Sequence, residues 1–305
     1  MALLFSNEIL HAVDDELKSA QESVQIITAY CKEKTFAHLD SCIDDTVQKK
    51  SLLVRFRLDD VIKGSTDFSI LNYAKQNGWN TYIRFDLHAK TYIIDNKRGL
   101  VGSANATNSG LSIGKVGNME MATLVDVEPQ DVEKISHLFE GAILVTDELI
   151  ENMEKQIDNL SSKDSGNGFV WNETITSLFN PHIDTLFSYE LPDKIMLENG
   201  EYISFLDEVF DGDKEKLKEI FRWSNVYLWL LEVLKENDGC MFFGTITQAL
   251  HNTLISDPKP FRRDVKQMLS NVLDLIVELD MDEIIIDRPN YSQRVRLKAY
   301  NYGGR

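Results

Sequence analysis

Apolar residues recur at helical spacing in Ile9, Leu10, Val13 and Leu17, which predicts an amphipathic helix over residues 6–22. The β-branched run Ser23–Ala29 (SVQIITA) follows and predicts a strand. A second helix is predicted over 35–47, and Leu52–Phe56 (LLVRF) reads as a strand. A third helix fits 67–78, where Gly78 stops it, and strands fit 81–85, 90–94, 99–102 and Met121–Val127 (MATLVDV). After Pro129 the stripe Val132, Ile135, Leu138, Phe139 and Ile143 predicts another helix, which the acidic run 146–160 continues. Strands separated by helices of this length predict an α/β sheet with helices on its faces.

The Ser/Gly/Asn-rich stretch SSKDSGNG marks a linker at 161–168, between a first domain over 1–160 and a second over 169–305. Residues 169–219 are acidic and carry no clear period. From 221 a long helix (FRWSNVYLWLLEVLKEN) is predicted, then an apolar segment opening a helix near Thr245–Leu254. A basic-then-apolar helix (FRRDVKQMLSNVLDLIVEL) follows DPKP, and two strands joined at Pro289–Asn290 end the chain. Three helices and a terminal hairpin resemble a winged helix. A reader of duplex DNA needs a basic helix for the groove and basic side chains on its flank. Arg262, Arg263 and Lys266 are the candidate helix contacts, and Arg294, Arg296 and Lys298 the candidate hairpin contacts. The acidic residues around the hairpin, Asp280, Asp282, Glu283 and Asp287, fit an interaction module equally.

Composition changes this picture in three ways. The 305 residues hold 32 Lys and Arg against 49 Asp and Glu, a net charge of −17. Such a chain repels phosphate backbones on average, so a nucleic-acid surface has to be a local basic patch. Residues 51–115 supply one candidate, with nine basic against five acidic residues, and 251–305 another, with nine against eight. Cys31, Cys42 and Cys240 are odd in number and show no zinc-type spacing, so neither a disulfide framework nor a metal site is expected. No apolar run approaches the ~18 residues of a membrane span and the first residues lack a signal peptide, so a soluble, cytoplasmic protein is expected.

One stretch carries chemistry: His88-Ala-Lys90, four residues, Asp95, six residues, then Gly102-Ser103-Ala104-Asn105. On one strand His88 and Lys90 would share a face, about 6.5–7 Å apart. An ammonium there neutralises the oxygens of an anionic ester while the imidazole attacks or moves a proton. Gly102 permits tight backbone geometry, and Ser103 and Asn105 offer short hydrogen-bonding groups. Asp95 is better placed to fix a turn than to touch substrate.

This pattern resembles the HKD motif of the phospholipase D superfamily. The resemblance covers about residues 1–150 and implies a mixed β-sheet flanked by helices. It implies that His88 is a nucleophile forming a phosphohistidine, that Lys90 and Asn105 hold the phosphate with Ser103 lining the pocket, and that no metal or other cofactor is needed. It also implies a downstream carboxylate orienting the histidine, for which Glu120 is the candidate. The expected architecture is therefore α/β, a phospholipase D-like mixed sheet followed by a mainly helical, winged-helix-like C-terminal domain.

The superfamily often carries two such motifs per chain. Here His11, His38, His137, His182 and His251 all lack a lysine two residues on. One copy cannot supply both nucleophile and general acid, so a homodimer sharing one site at its two-fold axis is expected. The single-motif layout resembles the small bacterial endonucleases and the metal-independent restriction endonucleases of the superfamily. A DNA-cleaving phosphodiesterase, conceivably in restriction or defence, is the expected activity. The alternatives are a phospholipase or other small-phosphodiester hydrolase, or a non-catalytic phosphate-binding module. A basic groove at the dimer axis is expected from Lys63, Arg84, Lys90, Lys97 and Arg98.

Overall fold

The structure is a computed structural model that describes residues 3–114, 117–160, 169–192, 198–256 and 258–298. The chain divides into two compact units, Met1–Asn180 and Pro181–Arg305. The linker expected at 161–168 lies outside the described residues.

The first unit opens with β1 (Leu3–Phe5), α1 (Asn7–Lys18), β2 (Ser23–Thr28), α2 (Glu33–Ser41) and β3 (Lys49–Arg55). Then come α3 (Leu58–Ile62), α4 (Ile70–Gln76), β4 (Trp79–Arg84), β5 (Lys90–Ile94), β6 (Arg98–Gly102) and β7 (Met121–Asp126). It closes with α5 (Pro129–Glu140), β8 (Ile143–Leu144), α6 (Asp147–Asp158) and the short α7 (Glu173–Thr176). The eight strands form one mixed sheet in the order β1-β7-β6-β5-β2-β3-β4-β8. β2, β3 and β4 run parallel, and every other neighbouring pair is antiparallel. That mixture brings the ends of β2, β3 and β6 and the starts of β5 and β7 to a single edge.

The central strands are buried on both faces, with Val24, Ile26 and Ile27 of β2 and Leu52, Leu53 and Val54 of β3 fully covered. A continuous apolar run is what a strand between two helical layers requires. α1 buries Ile9, Val13 and Leu17. On the other face Ile135, Leu138 and Phe139 of α5 pack against Ile27, Leu53 and Leu87.

Several elements differ from the sequence expectation. The helix expected over 6–22 ends at Lys18, and the one over 35–47 ends at Ser41. The acidic run does not continue α5. Gly141 ends that helix, Ile143 pairs with Ile83 as an edge strand, and Thr146 then caps α6 by accepting from the Leu149 N–H at 3.2 Å. β1, α3 and β8 are additional elements, each too short to impose a period on the sequence. Residues 169–180 pack on the first unit. The Trp171 ring stacks on Phe56 and its Nε1–H donates to the Phe56 carbonyl at 2.5 Å, while Phe179 meets Phe85 edge-on.

The second unit has a two-stranded piece, β9 (Tyr202–Ile203) with β10 (Glu208–Val209). The long helix expected from 221 is two: α8 (Lys214–Arg222) and α9 (Asn225–Glu236), separated at Ser224, which caps α9. β11 (Cys240–Phe242), α10 (Phe243–Thr253), α11 (Arg262–Glu278), β12 (Ile284–Asp287) and β13 (Arg294–Leu297) complete it. The last three strands named form an antiparallel sheet in the order β11-β13-β12. Phe221, Tyr227, Trp229, Leu269 and Val295 lie in its core, so the aromatic stripe of α8 and α9 is interior. Helix, strand, helix, helix, strand, strand is the element order of a winged helix.

Candidate active site

β5 begins at Lys90, whose ladder partner is Thr28, the last residue of β2. His88 therefore precedes the strand in an extended link and is exposed, rather than sharing β5 with Lys90 as the spacing suggested. The two remain joined: the Lys90 ammonium donates to the His88 backbone carbonyl at 2.5 Å.

The charges around the ring come from the end of β3. Burial, followed by the positive charges of Lys90, Arg55 and Arg57, pushes the His88 imidazole below its ordinary value of 6.5, with Asp60 pulling weakly the other way. Burial and Arg55 also lower the Lys90 ammonium, against the opposing charge of Glu120. The imidazole is thus neutral and its lone pair available at neutral pH.

Arg55 is held rigidly. Asp60 grips it through two hydrogen bonds of 2.8 Å, the Tyr30 hydroxyl oxygen accepts from it at 2.6 Å, and its guanidinium lies 4.7 Å from the Tyr30 ring centre. Arg57 donates to the Phe85 carbonyl, which ties β3 to the segment leading into His88. The sequence reading passed over Tyr30, Arg55, Arg57 and Asp60. The available signal was two arginines spaced by two at the end of an apolar strand, LLVRFR.

The Asn105 side chain is fixed with a defined polarity. Its Oδ1 accepts from the Tyr30 N–H at 3.0 Å and from the Thr28 hydroxyl at 3.4 Å. Its Nδ2 has no hydrogen-bond partner among the described residues and is available to donate. Gly110 makes room for this arrangement, since a Cβ there would sit 2.5 Å from the Asn105 carbonyl.

Ser103 and Glu120 face each other across β6 and β7. The Ser103 hydroxyl donates to the Glu120 carboxylate and accepts from the Met121 N–H at 3.1 Å. Asn118 Nδ2 donates to the other carboxylate oxygen at 3.1 Å. Among the described residues Glu120 makes no hydrogen bond to His88, so the expected imidazole–carboxylate contact is replaced by a serine–carboxylate one. Gly102 serves close packing rather than a special dihedral: a Cβ would come within 2.5 Å of both the Ala122 Cβ and the Met121 carbonyl. Asp95 accepts from the N–H groups of Gln21, Glu22 and Ser23. Burial opposes its charge, but these donors outweigh it and hold the carboxyl below the usual carboxylate range. It fastens the β5–β6 turn to the start of β2, at the end of the sheet away from His88.

The basic groove is not assembled as expected. Lys97 and Arg98 sit at that same far end, paired with Glu22 and Glu16. Arg84 is buried, held by Asp86 and the Leu138 carbonyl, and Lys63 pairs with Asp59. Of the five, only Lys90 is at the site, where Arg55 and Arg57 take the place of the others. In the second unit Arg262, Arg263 and Lys266 are exposed on the first turns of α11, with Arg263 paired to Asp264. Arg294 and Arg296 both hold Asp287, at 2.8 and 3.1 Å.

A neutral imidazole beside an ammonium, two guanidinium groups and an oriented amide donor is suited to an anionic ester with negative oxygens on phosphorus. The first unit is similar to phospholipase D-like domains. Residues 13–143 match the protein family described as cardiolipin synthase, PLD-like domain. Nuc from Salmonella typhimurium, described as a phospholipase D family member, is 17% identical, covering 48% of this chain and 99% of its own, with a TM-score of 0.39. NucT from Helicobacter pylori is 16% identical over 46% of this chain and 94% of its own, with a TM-score of 0.34. A phosphatidylserine synthase from Haemophilus influenzae is 15% identical over 54% and 44%, with a TM-score of 0.39. No curated protein matches the sequence.

Proposed function

We propose that the chain is a nuclease that cleaves phosphodiesters of DNA through a covalent phosphohistidine at His88, without a metal, in a site shared by two copies. The observation that carries the reading is the exposed His88 tied to the Lys90 ammonium at the sheet end where the Asn105 amide is oriented. In the first step the neutral ring attacks phosphorus in line, and the bond to the leaving oxygen breaks. His88 of the second copy, which enters the step as the imidazolium beside the bound phosphate, gives that oxygen its proton. In the second step this histidine, now neutral, takes a proton from water as the water oxygen displaces His88 from phosphorus. Both imidazoles are then restored. Lys90, Arg57 and the Asn105 amide hold the charge on the equatorial oxygens, while Arg55, already gripped by Asp60 and Tyr30, contributes a fixed positive charge. Glu120 orients Ser103 beside that pocket.

The second copy has a surface on which to dock. α5 covers one sheet face only over β2, β3 and β4. By ladder register Leu3, Phe5, Val101 and Met121 share the uncovered part of that face, and each is more than 40% exposed. This strip ends beside Ser103 and Glu120. In this reading the general acid is the His88 of the second copy.

The test is cleavage of plasmid DNA in excess EDTA, alongside phosphatidylcholine and cardiolipin vesicles, because the matching family is named for a lipid synthase. DNA cleavage by the parent and a loss of at least a thousandfold in His88→Ala supports the reading, with a 32P-labelled phosphohistidine trapped on the parent only. Cleavage retained in His88→Ala removes it, and turnover of the lipid alone replaces DNA with a phospholipid as substrate.

A further inference from the structure

Away from the phosphodiester site, α1 and α2 bring together three metal-ligating side chains. Asp14 lies on α1. His38 lies on α2, and Cys42 follows the end of that helix four residues later, on the same face. A carboxylate oxygen of Asp14, a ring nitrogen of His38 and the Cys42 sulfur all lie within 4.8 Å of one another. His38 Nε2 is 3.0 Å from one Asp14 oxygen and 3.2 Å from the other. All three side chains are half-buried, with an open side toward solvent.

We propose that Asp14, His38 and Cys42 bind one divalent cation of the zinc class, with a water completing the shell. The donor set supports the assignment: one thiolate, one imidazole and one carboxylate are borderline-to-soft ligands that favour Zn2+ over Mg2+ or Ca2+. The spacing does too. Tetrahedral zinc with bonds near 2.0–2.3 Å holds its ligands roughly 3.3–3.8 Å apart, so contraction by about 1 Å closes the site. Side-chain rotation of Cys42 and His38 supplies that much. On binding, the Cys42 S–H bond breaks, its proton goes to solvent, and a sulfur–metal bond forms; the ligating His38 nitrogen donates its lone pair, any proton on it leaving for solvent or the second ring nitrogen. The sequence spacing hid this site because Asp14 is 24 residues from His38 and joins it only through the packing of two helices. The site fastens α1 to α2 and takes no part in the chemistry at His88.

The experiment is titration of the untagged full-length chain with Co2+, read by thiolate-to-cobalt charge transfer in the near ultraviolet. The result expected is one Co2+ per chain, displaced by Zn2+. Cys42→Ser should abolish the charge-transfer band, His38→Gln and Asp14→Asn should weaken binding at least tenfold, and Cys240→Ser should leave it intact. Circular dichroism on each variant separates ligand loss from misfolding. Absence of the band in the folded parent overturns the proposal, and so does a band that survives Cys42→Ser or is unaffected by His38→Gln and Asp14→Asn.

Discussion

In the proposed reaction the attacking His88 ring must be neutral, so its surroundings set the acid side of the pH profile. Its pKa is lowered from 6.5, first by burial and then by Lys90, Arg55 and Arg57. The neutral form therefore predominates at pH 7 and falls as pH drops through the lowered value. The acid limb of kcat/KM should have its midpoint below 6.5, measured on an oligonucleotide at constant ionic strength; a midpoint above 6.5 contradicts the cationic ring. At this scale the sequence was partly legible. His88, Lys90 and Asn105 sit in one short motif and all lie at the same sheet edge. Arg55 and Tyr30 were not legible, because their proximity to His88 comes from parallel pairing of β3 with β2 and antiparallel pairing of β5 with β2. Nothing local in the chain announces either. The contact of Ser103 with Glu120 was not legible for the same reason, since it forms only once β6 and β7 are in register.

The strands and helices place these groups by close packing. β6 and β7 approach tightly at Gly102, where a Cβ would overlap Ala122 and the Met121 backbone. Gly102→Ala should cost about 1–3 kcal/mol and displace Ser103, read as a lower midpoint in urea together with reduced activity. A variant as stable and active as the parent would show that the two strands can part without consequence. The uncovered sheet face gives a second expectation. Val101 is 43% exposed on β6, so a charge there leaves the monomer intact but opposes burial against a second copy. Val101→Asp should halve the solution mass measured by light scattering while the melting temperature stays within a few degrees. A parent that is already monomeric, or a variant that remains dimeric, rules out this face as the contact. Long elements were readable from their periods, whereas the three-residue β1 and two-residue β8 were not: they are strands only because β7 and β4 offer free edges.

For the molecule as a whole, the proposed DNA substrate would have to be held by local patches, because the net charge is −17. The first unit contributes Lys90, Arg55 and Arg57. The second offers Arg262, Arg263 and Lys266 at the start of α11, while Arg294 and Arg296 spend their charge on Asp287. Replacing Arg262, Arg263 and Lys266 with Ala should weaken retention of a long duplex and flatten its salt dependence by about one unit of slope per lost phosphate contact. Cleavage of a short oligonucleotide should be unchanged. Duplex affinity identical to the parent at every salt concentration assigns the second unit to something other than DNA. That this unit is mainly helical was legible because α9, α10 and α11 are strongly periodic, whereas the break between α8 and α9 at Ser224 was not. Residues 169–180 belong to the first compact unit, where Trp171 and Phe179 meet Phe56 and Phe85, more than 80 positions upstream.

The sheet also governs when the fold can close during synthesis. His88, Asn105 and Glu120 are translated in that order, the pairing of β1 with β7 waits for residues 121–126, and that of β8 with β4 for residues 143–144. The first strand made is thus left without its only sheet neighbour until the seventh has been synthesised.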